Sequence, residues 1–248
     1  MTMAKLKDIK TFLNHELDPF LLDDSSHNGL QVESSRPIKK IGFAVDACIE
    51  TFHKAINEGC DMIIVHHGLF WNKKETITGN LYQRLKLLLD NELALYASHL
   101  PLDKHPTYGN NAQLFKLLGV RPTKDFGKVG YQGAFPKPKL LKSIVTLLNS
   151  KLGAKCAILN YGKQSIKTVA IESGDGEFDA FEAIRKDIDL YITGEIGHSI
   201  YHPVREAGIN IIGAGHYATE TMGVKALMPV LKKRFNVKVV FLDSPTGL

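Results

Sequence analysis

The sequence has few cysteines, and they form no paired metal-binding motif. Its 248 residues include three, at Cys48, Cys60 and Cys156, with no Cys-x-x-Cys pair among them. This spacing argues against a disulfide framework and against a zinc site built from thiolates. We therefore interpret the three cysteines as buried free thiols.

The sequence also lacks a long hydrophobic run. No apolar stretch approaches the roughly 18–20 residues that cross a bilayer. The first segment, MTMAKLKDIKTFLNHEL, alternates charged and apolar residues, whereas a signal peptide has an uninterrupted apolar stretch. We therefore expect a cytoplasmic protein with no membrane partner. The net charge of +5 is small and the lysines are spread out, which fits a solvated surface at least as well as a nucleic-acid partner.

Two common catalytic motifs are missing as well. The chain contains neither the GxxxxGK[ST] phosphate-binding loop nor the GxSxG nucleophile elbow. It has no aromatic-rich basic patch of the kind that stacks single-stranded nucleic acid. Hydrophobic residues make up 44% and charged residues 23%, the balance of an ordinary globular protein. Any catalytic chemistry must therefore come from other side chains.

The chain alternates apolar strands with amphipathic helices, and the second half repeats the plan of the first. Strands that are apolar throughout are typical of mainly parallel sheets covered on both faces. We predict an α/β fold with mostly parallel mixed sheets, in two duplicated lobes at residues 1–125 and 126–248. The metal site is expected where the two lobes face each other.

Polar residues follow the predicted strands in both halves. Because ligands bind outside the carboxyl ends of strands in open α/β sheets, these residues mark the predicted site. The strand leading to His99 corresponds, by this duplication, to the strand leading to His216. The candidates are His66 and His67, His99 and Asp103, Glu195, and His216 and Glu220.

The neighbouring histidines set a geometric condition. Adjacent residues of a regular strand point to opposite faces, so His66 and His67 reach one site only if the backbone turns between them, which Gly68 makes easier. The alternative is one structural and one exposed histidine.

His216 and Glu220 stand four residues apart, which places both on one face of a helix that begins near Tyr217. Their alternative is a capping carboxylate beside a surface histidine.

Three further candidates lie nearby. Asp103 follows Leu100-Pro101-Leu102, which we predict to be an extended exit from a strand because a proline disfavours helix in the residue before it. His99 is a possible ligand, acid or base, or a group that orients a ligand. Glu195, at a strand end, is a candidate general base or orienting group. Asn110 and Asn111 are interpreted as helix-entry residues, with Asn110 as a candidate N-cap.

The predicted ligand set indicates particular metals. Three imidazoles and two carboxylates suit Zn, Fe or Mn, and disfavour Ca and Mg, which prefer oxygen ligands. Five ligands exceed what one catalytic zinc takes. They better suit two divalent ions bridged by a carboxylate, either Glu220 or Asp103.

Four segments resemble a known family. IIVHHGLFW, SHLPLDKHPTYGNN, ITGE and AGHYATET match, in order and spacing, the signatures of the GTP cyclohydrolase I type 2 homologues, also described as NGG-interacting-factor-three-like proteins. The resemblance covers the chain from NGLQV to its end and is to the short branch without an inserted domain. Where members often carry aromatic-Asp-Asn-x-Gly-Leu, this sequence has SSHNGLQV.

The resemblance implies two interlinked α/β lobes, a dinuclear metal centre and a hexameric ring as the homo-oligomer. It places the metal ligands at five positions: His66, His67, Asp103, His216 and Glu220.

Three functions are compatible with these features. The first is a metal-dependent hydrolase for a small molecule such as a nucleotide or related heterocycle, with His99 or Glu195 moving the proton. The second is a non-catalytic protein that handles a metal or an iron cofactor. The third is a ring that binds nucleic acid or protein.

Overall fold

The structure is a computed structural model that describes residues 4–248. Its strands and helices alternate along the chain and form two mixed sheets. The helices are α1 (Leu6–Leu17), α2 (Ile49–Asn57), α3 (Gly79–Asp90), α4 (Leu100–Lys104), α5 (Asn110–Leu118), α6 (Leu141–Leu152), α7 (Ala180–Arg185), α8 (Tyr201–Ala207) and α9 (His216–Phe235). The strands are β1 (Gly29–Val32), β2 (Lys40–Asp46), β3 (Met62–His67), β4 (Ala94–Ala97), β5 (Pro122–Phe126), β6 (Gly130–Leu140), β7 (Ala157–Asn160), β8 (Ser165–Glu172), β9 (Leu190–Thr193), β10 (Asn210–Gly213) and β11 (Lys238–Phe241).

The first unit extends to Leu102 and also contains Val224–Ser244. Its five-stranded sheet has the order β1-β4-β3-β2-β11, with β1 antiparallel to the others. The central strands are buried on both faces, because helices cover a parallel sheet on both sides. Their core includes Phe52, Ile63 and Leu95.

The second unit contains Asp103–Gly223 and Pro245–Leu248. Its six-stranded sheet has the order β5-β6-β8-β9-β10-β7. Strands β8, β9 and β10 are parallel, and the other pairings are antiparallel. Phe115, Phe135 and Ile192 belong to one of its buried clusters. The first unit thus takes Val224–Ser244 from the far end of the chain, and the second unit begins at Asp103. The halves 1–125 and 126–248 stay a prediction.

The two sheets share a topological plan. In the first sheet, β1 comes before the parallel strands β2, β3 and β4 in the chain. It pairs antiparallel with β4, the last of the three, which gives the order β1-β4-β3-β2. In the second, the order β7-β10-β9-β8 arises in the same way. The predicted α/β class with duplicated lobes is therefore confirmed. The predominance of parallel pairs holds in the first sheet, whereas the second adds the antiparallel β5 and β6.

Local predictions near the site were wrong at two places. The segment from Leu100 to Lys104 is a short helix and no extended exit, because the fixed φ of Pro101 suits the first turn of a helix. Asn110, which we considered as a helix cap, is the first helical residue, and Gly109 takes the cap position. Within residues 4–248 no helix is both long and apolar enough to cross a membrane.

Candidate functional site

The first unit brings three histidines together. His66 and His67 end β3, and His99 follows β4, its parallel neighbour. The ring centroids lie 4.7 Å apart for His66 and His67, 5.0 Å for His66 and His99, and 5.5 Å for His67 and His99. One ligand nitrogen of each ring lies within 4.8 Å of those of the other two. The two adjacent rings approach although β3 continues through His67, so no break of the strand between them is needed.

Each of these histidines has an oxygen acceptor at Nδ1. Because a carbonyl or carboxylate oxygen only accepts, Nδ1 carries the hydrogen and, in the neutral ring, Nε2 carries the lone pair. Metal-binding imidazoles are oriented in this way. The acceptors are Ser98 O at 2.9 Å from His66, Asp46 Oδ1 at 2.8 Å from His67, and Asp24 Oδ1 at 2.8 Å from His99.

Asp24 fixes the position of His99. Its side chain is only 2% exposed and also accepts hydrogen bonds from the backbone N–H groups of Ser26 and Leu100 and from the Asn28 amide. Burial alone would raise the pKa of this carboxyl, but the hydrogen bonds from His99, Asn28 and Ser26 hold it well below its usual range. Asp24 is therefore a buried carboxylate at neutral pH.

Sequence reasoning missed both carboxylates behind these histidines. Asp46 carried a usable signal, because it ends β2 at the same sheet edge as His67, its register partner on β3. Asp24 lies in an irregular loop and reaches His99 across 75 residues, so no local pattern marks it.

The second unit holds His216 and Glu220 at the start of α9. Nε2 of His216 lies 3.1 Å from Glu220 Oε1, as the four-residue spacing predicts, and α9 begins at His216 itself. Glu195 accepts a short hydrogen bond from His216 Nδ1. Burial would lower the pKa of His216, but Glu220 and Glu195 outweigh it and raise that pKa to about 9. The metal-free imidazole therefore carries a proton at neutral pH.

Asp103 is held by Asn110 and Ser173. From the sequence, Asn110 was predicted only as a helix-entry residue, and Ser173 was not considered. Asp103 is 3% exposed, and its Oδ1 accepts hydrogen bonds from Asn110 Nδ2 at 2.8 Å and Ser173 Oγ at 2.9 Å. Asn110 Oδ1 in turn accepts from Gly223 N, and Asn111 Oδ1 accepts from the backbone N–H of Ser173. The two asparagines therefore fix the carboxylate and the loop beside it.

The loop after β8 joins these groups. Gly174 has φ +68°, and a Cβ there would lie 2.3 Å from Glu220 Oε1 and 3.4 Å from His216 Nε2. Only glycine lets the backbone pass so close to the pair. Since Ser173 binds Asp103, two consecutive loop residues contact three predicted ligands. The glycine-rich run ESGDG, at the carboxyl end of a strand, was the signal that could have identified this loop.

A buried acid adjoins the same loop. Burial and the nearby charge of Asp179 raise the pKa of Glu172 to about 9. Glu172 therefore keeps its proton at neutral pH. A protonated Glu172 adds no negative charge near Asp103.

The two units thus carry the predicted residues in two sets. His66, His67 and His99 form one group in the first unit, and Asp103, Glu195, His216 and Glu220 surround one loop system in the second. Imidazole nitrogens with a fixed tautomer and buried carboxylates are donors that Zn, Fe and Mn accept. The fold and these sets define a duplicated α/β protein with groups that could hold a metal ion.

Comparison with known proteins names the family. The family model for Duf34/NIF3 (NGG1p interacting factor 3) matches residues 4–247, and the chain belongs to this family. Two curated relatives are named "GTP cyclohydrolase 1 type 2 homolog". The one from Pyrococcus abyssi is 46% identical, covering 98% of this chain and 99% of its own. The one from Pyrococcus horikoshii is 47% identical, covering 97% and 98%.

Solved structures share the fold over the whole chain. The crystal structure of a protein from Thermus thermophilus is 41% identical with a TM-score of 0.91, covering 98% of this chain and 99% of that one. The protein ybgI, described as of unknown function, is 34% identical with a TM-score of 0.94, covering 99% and 100%. Reduced HcgD from Methanocaldococcus jannaschii is 25% identical with a TM-score of 0.88, covering 98% and 100%.

Proposed function

We propose that the chain binds two divalent metal ions, Fe, Zn or Mn, and acts as a metal-dependent hydrolase on a nucleotide or related heterocycle. The observation that carries this proposal is the set of three histidines whose Nδ1 atoms are all held by oxygen acceptors. Such support is characteristic of ligating imidazoles. The proposed ligands are His66, His67, Asp103, His216 and Glu220.

The chain's own residues supply the proton chemistry of this proposal. A bound divalent ion would contribute Lewis acidity toward a water molecule and a substrate oxygen. Glu195 is about half exposed and positions His216 through Nδ1, so it can exchange protons with solvent. His99 accepts a proton at Nε2, and the Asp24 carboxylate stabilises the resulting imidazolium. We further propose that the protein works in the cytoplasm as the homohexameric ring that the family resemblance implies.

A second candidate function is metal or iron-cofactor handling without catalysis. It is favoured by the raised pKa of His216, because a proton that competes with the metal weakens binding and so favours release of the ion. A handling protein should release its ion to an acceptor, whereas a hydrolase should retain it through turnover.

Metal analysis combined with turnover tests the proposal. Protein purified without chelators should contain about two divalent ions per chain, countable by anomalous scattering, and should hydrolyse at least one member of a panel of nucleotides, phosphoesters and cyclic amides. Stripping with chelator should abolish turnover, and restoring the metal should recover it. Full metal occupancy without any turnover, together with rapid transfer to an acceptor protein, would favour the handling function. Absence of bound metal would reject both.

Metal affinity should depend on pH through His216. Since the pKa of His216 is about 9, metal must displace a proton at any lower pH, and affinity should rise about tenfold per pH unit between pH 7 and 9. Competition with a coloured chelator measures this slope. Glu195→Gln removes one of the two carboxylates that raise the pKa of His216, so the metal affinity of this variant should stop rising at a lower pH. An affinity that is constant from pH 7 to 9 contradicts this assignment.

A further inference from the structure

A pocket of about 360 Å³ lies beside Trp71 in the first unit. Its lining mixes an aromatic ring, an amide, a cation and a carboxylate. The Trp71 ring centroid lies 5.1 Å from that of His99 and 6.1 Å from that of His67. Trp71 therefore lines the pocket and also lies next to His99 and to His67, one of the proposed ligands. The pocket is lined by Ser25, Trp71, Asn72, Lys73 and Glu75.

The indole ring is held in place before any ligand arrives. Trp71 Nε1 donates a hydrogen bond to Gly68 O at 3.2 Å, and the backbone of Trp71 pairs with that of Ser26 in an antiparallel bridge. The next residue is fixed too, because Asn72 N donates to Ser25 O at 2.7 Å. A ring that is already positioned loses little conformational entropy on binding.

We propose that this pocket binds a planar heteroaromatic ring that carries an anionic group, with the ring stacked on Trp71 and the anion at Lys73. Tryptophan offers a large face for stacking, and the Asn72 amide supplies a donor and an acceptor for polar atoms on the ring edge. The volume lies at the lower end of the range for small-ligand pockets, which fits a mononucleotide.

The inference deepens the proposed function, because Trp71 would contact the heterocycle on one side and lies next to His67 and His99. It rests on the proposed function. Glu75 in the same lining disfavours a polyanion, since a carboxylate repels additional phosphates. A single anionic group paired with Lys73 is therefore the ligand that this lining recognises best.

The chain offers a direct reporter, because Trp71 is its only tryptophan. Adenosine 5′-monophosphate should quench the fluorescence of the wild-type protein in a saturable way. Adenosine and ribose 5-phosphate, which carry only the ring or only the phosphate, should each bind more weakly. If ribose 5-phosphate binds as tightly as the nucleotide, stacking on Trp71 does not contribute to binding. If adenosine binds as tightly as the nucleotide, the proposed contact between Lys73 and the anion is wrong.

Matched variants separate the two contacts. Trp71→Ala should weaken nucleotide binding about tenfold or more by calorimetry, while Trp71→Phe should retain part of it. Lys73→Met should weaken binding of the nucleotide but not of adenosine. Lys74→Met is the control, because this neighbouring exposed lysine lies outside the pocket lining. Equal effects of the two lysine variants, or unchanged binding in folded Trp71→Phe and Trp71→Ala proteins, would overturn the proposal.

The pocket and the metal site can fail independently. Chelator-treated protein should still bind the nucleotide, because Trp71 and Lys73 need no metal, and loss of Trp71 should leave the metal content unchanged. If adenosine 5′-monophosphate quenches the fluorescence of Trp71 in a protein that never binds metal, the pocket is supported and the proposed function is rejected. A metal-loaded protein that shows no quenching would reject the pocket alone.

Discussion

Replacement of His66 by alanine should remove nearly all metal from the purified protein. His66 is fully buried, and Ser98 O fixes its Nδ1 hydrogen, so the ring has little freedom to reorient and no solvent-exposed side chain can easily replace it. Removing even an outer hydrogen-bond partner of a ligand typically weakens metal affinity 10- to 100-fold, so loss of a ligand should cost at least about 100-fold. Elemental analysis of protein purified without chelators measures the effect.

The matched control is His53→Ala, which removes an exposed histidine from helix α2 of the same unit. It should leave the metal content unchanged. Because His66→Ala also creates a buried cavity, a thermal melt must show that the variant is folded before its metal content is compared. A folded His66→Ala protein with wild-type metal content would show that His66 is no ligand.

A parallel variant in the second unit tests whether the two ligand sets serve one centre, as the sequence predicts. Glu220→Gln keeps the size of the side chain and removes its charge. If His66→Ala and Glu220→Gln each lose both ions, the centre is shared. If each variant keeps one ion, the units bind metal separately, and the dinuclear proposal is wrong.

The sequence was informative about the candidate ligands because they follow strands. A buried parallel strand is recognisable from its apolar run, and its carboxyl end is where α/β sheets bind ligands. This reasoning selected His66, His67 and His99, and the structure groups these three. It also selected His216 and Glu220, whose four-residue spacing becomes a contact on α9.

The supporting residues could not be predicted in the same way. Ser98 contributes a backbone carbonyl, which any residue type provides. Asp24 and Ser173 reach their partners across 75 and 70 residues, so their positions depend on tertiary packing. Asn110 has a side chain that suits a helix cap, but the structure uses it to hold Asp103. Local propensity therefore identified a polar residue at the right place and gave it the wrong role.

Asp24→Ala should be among the most destabilising substitutions in the first unit, although Asp24 is not a proposed metal ligand. Its carboxylate accepts hydrogen bonds from the backbone N–H groups of Ser26 and Leu100 and from the side chains of Asn28 and His99. Alanine leaves these buried donors without their acceptor, which should lower the free energy of unfolding by about 3–5 kcal/mol. Urea denaturation of metal-free protein at pH 7 measures the loss.

The control is Asp23→Ala, which removes the same charge one position earlier from an exposed residue and should change stability by less than about 1 kcal/mol. The pH dependence gives a second signature. Because the folded pKa of Asp24 lies below its usual value, its contribution is fully present above the unfolded pKa of about 4 and declines as pH falls below it. The difference between wild type and Asp24→Ala should therefore be constant near neutrality and shrink below about pH 4. A difference that persists unchanged into that acidic range would mean that the stabilisation comes from packing and not from the ionised carboxylate.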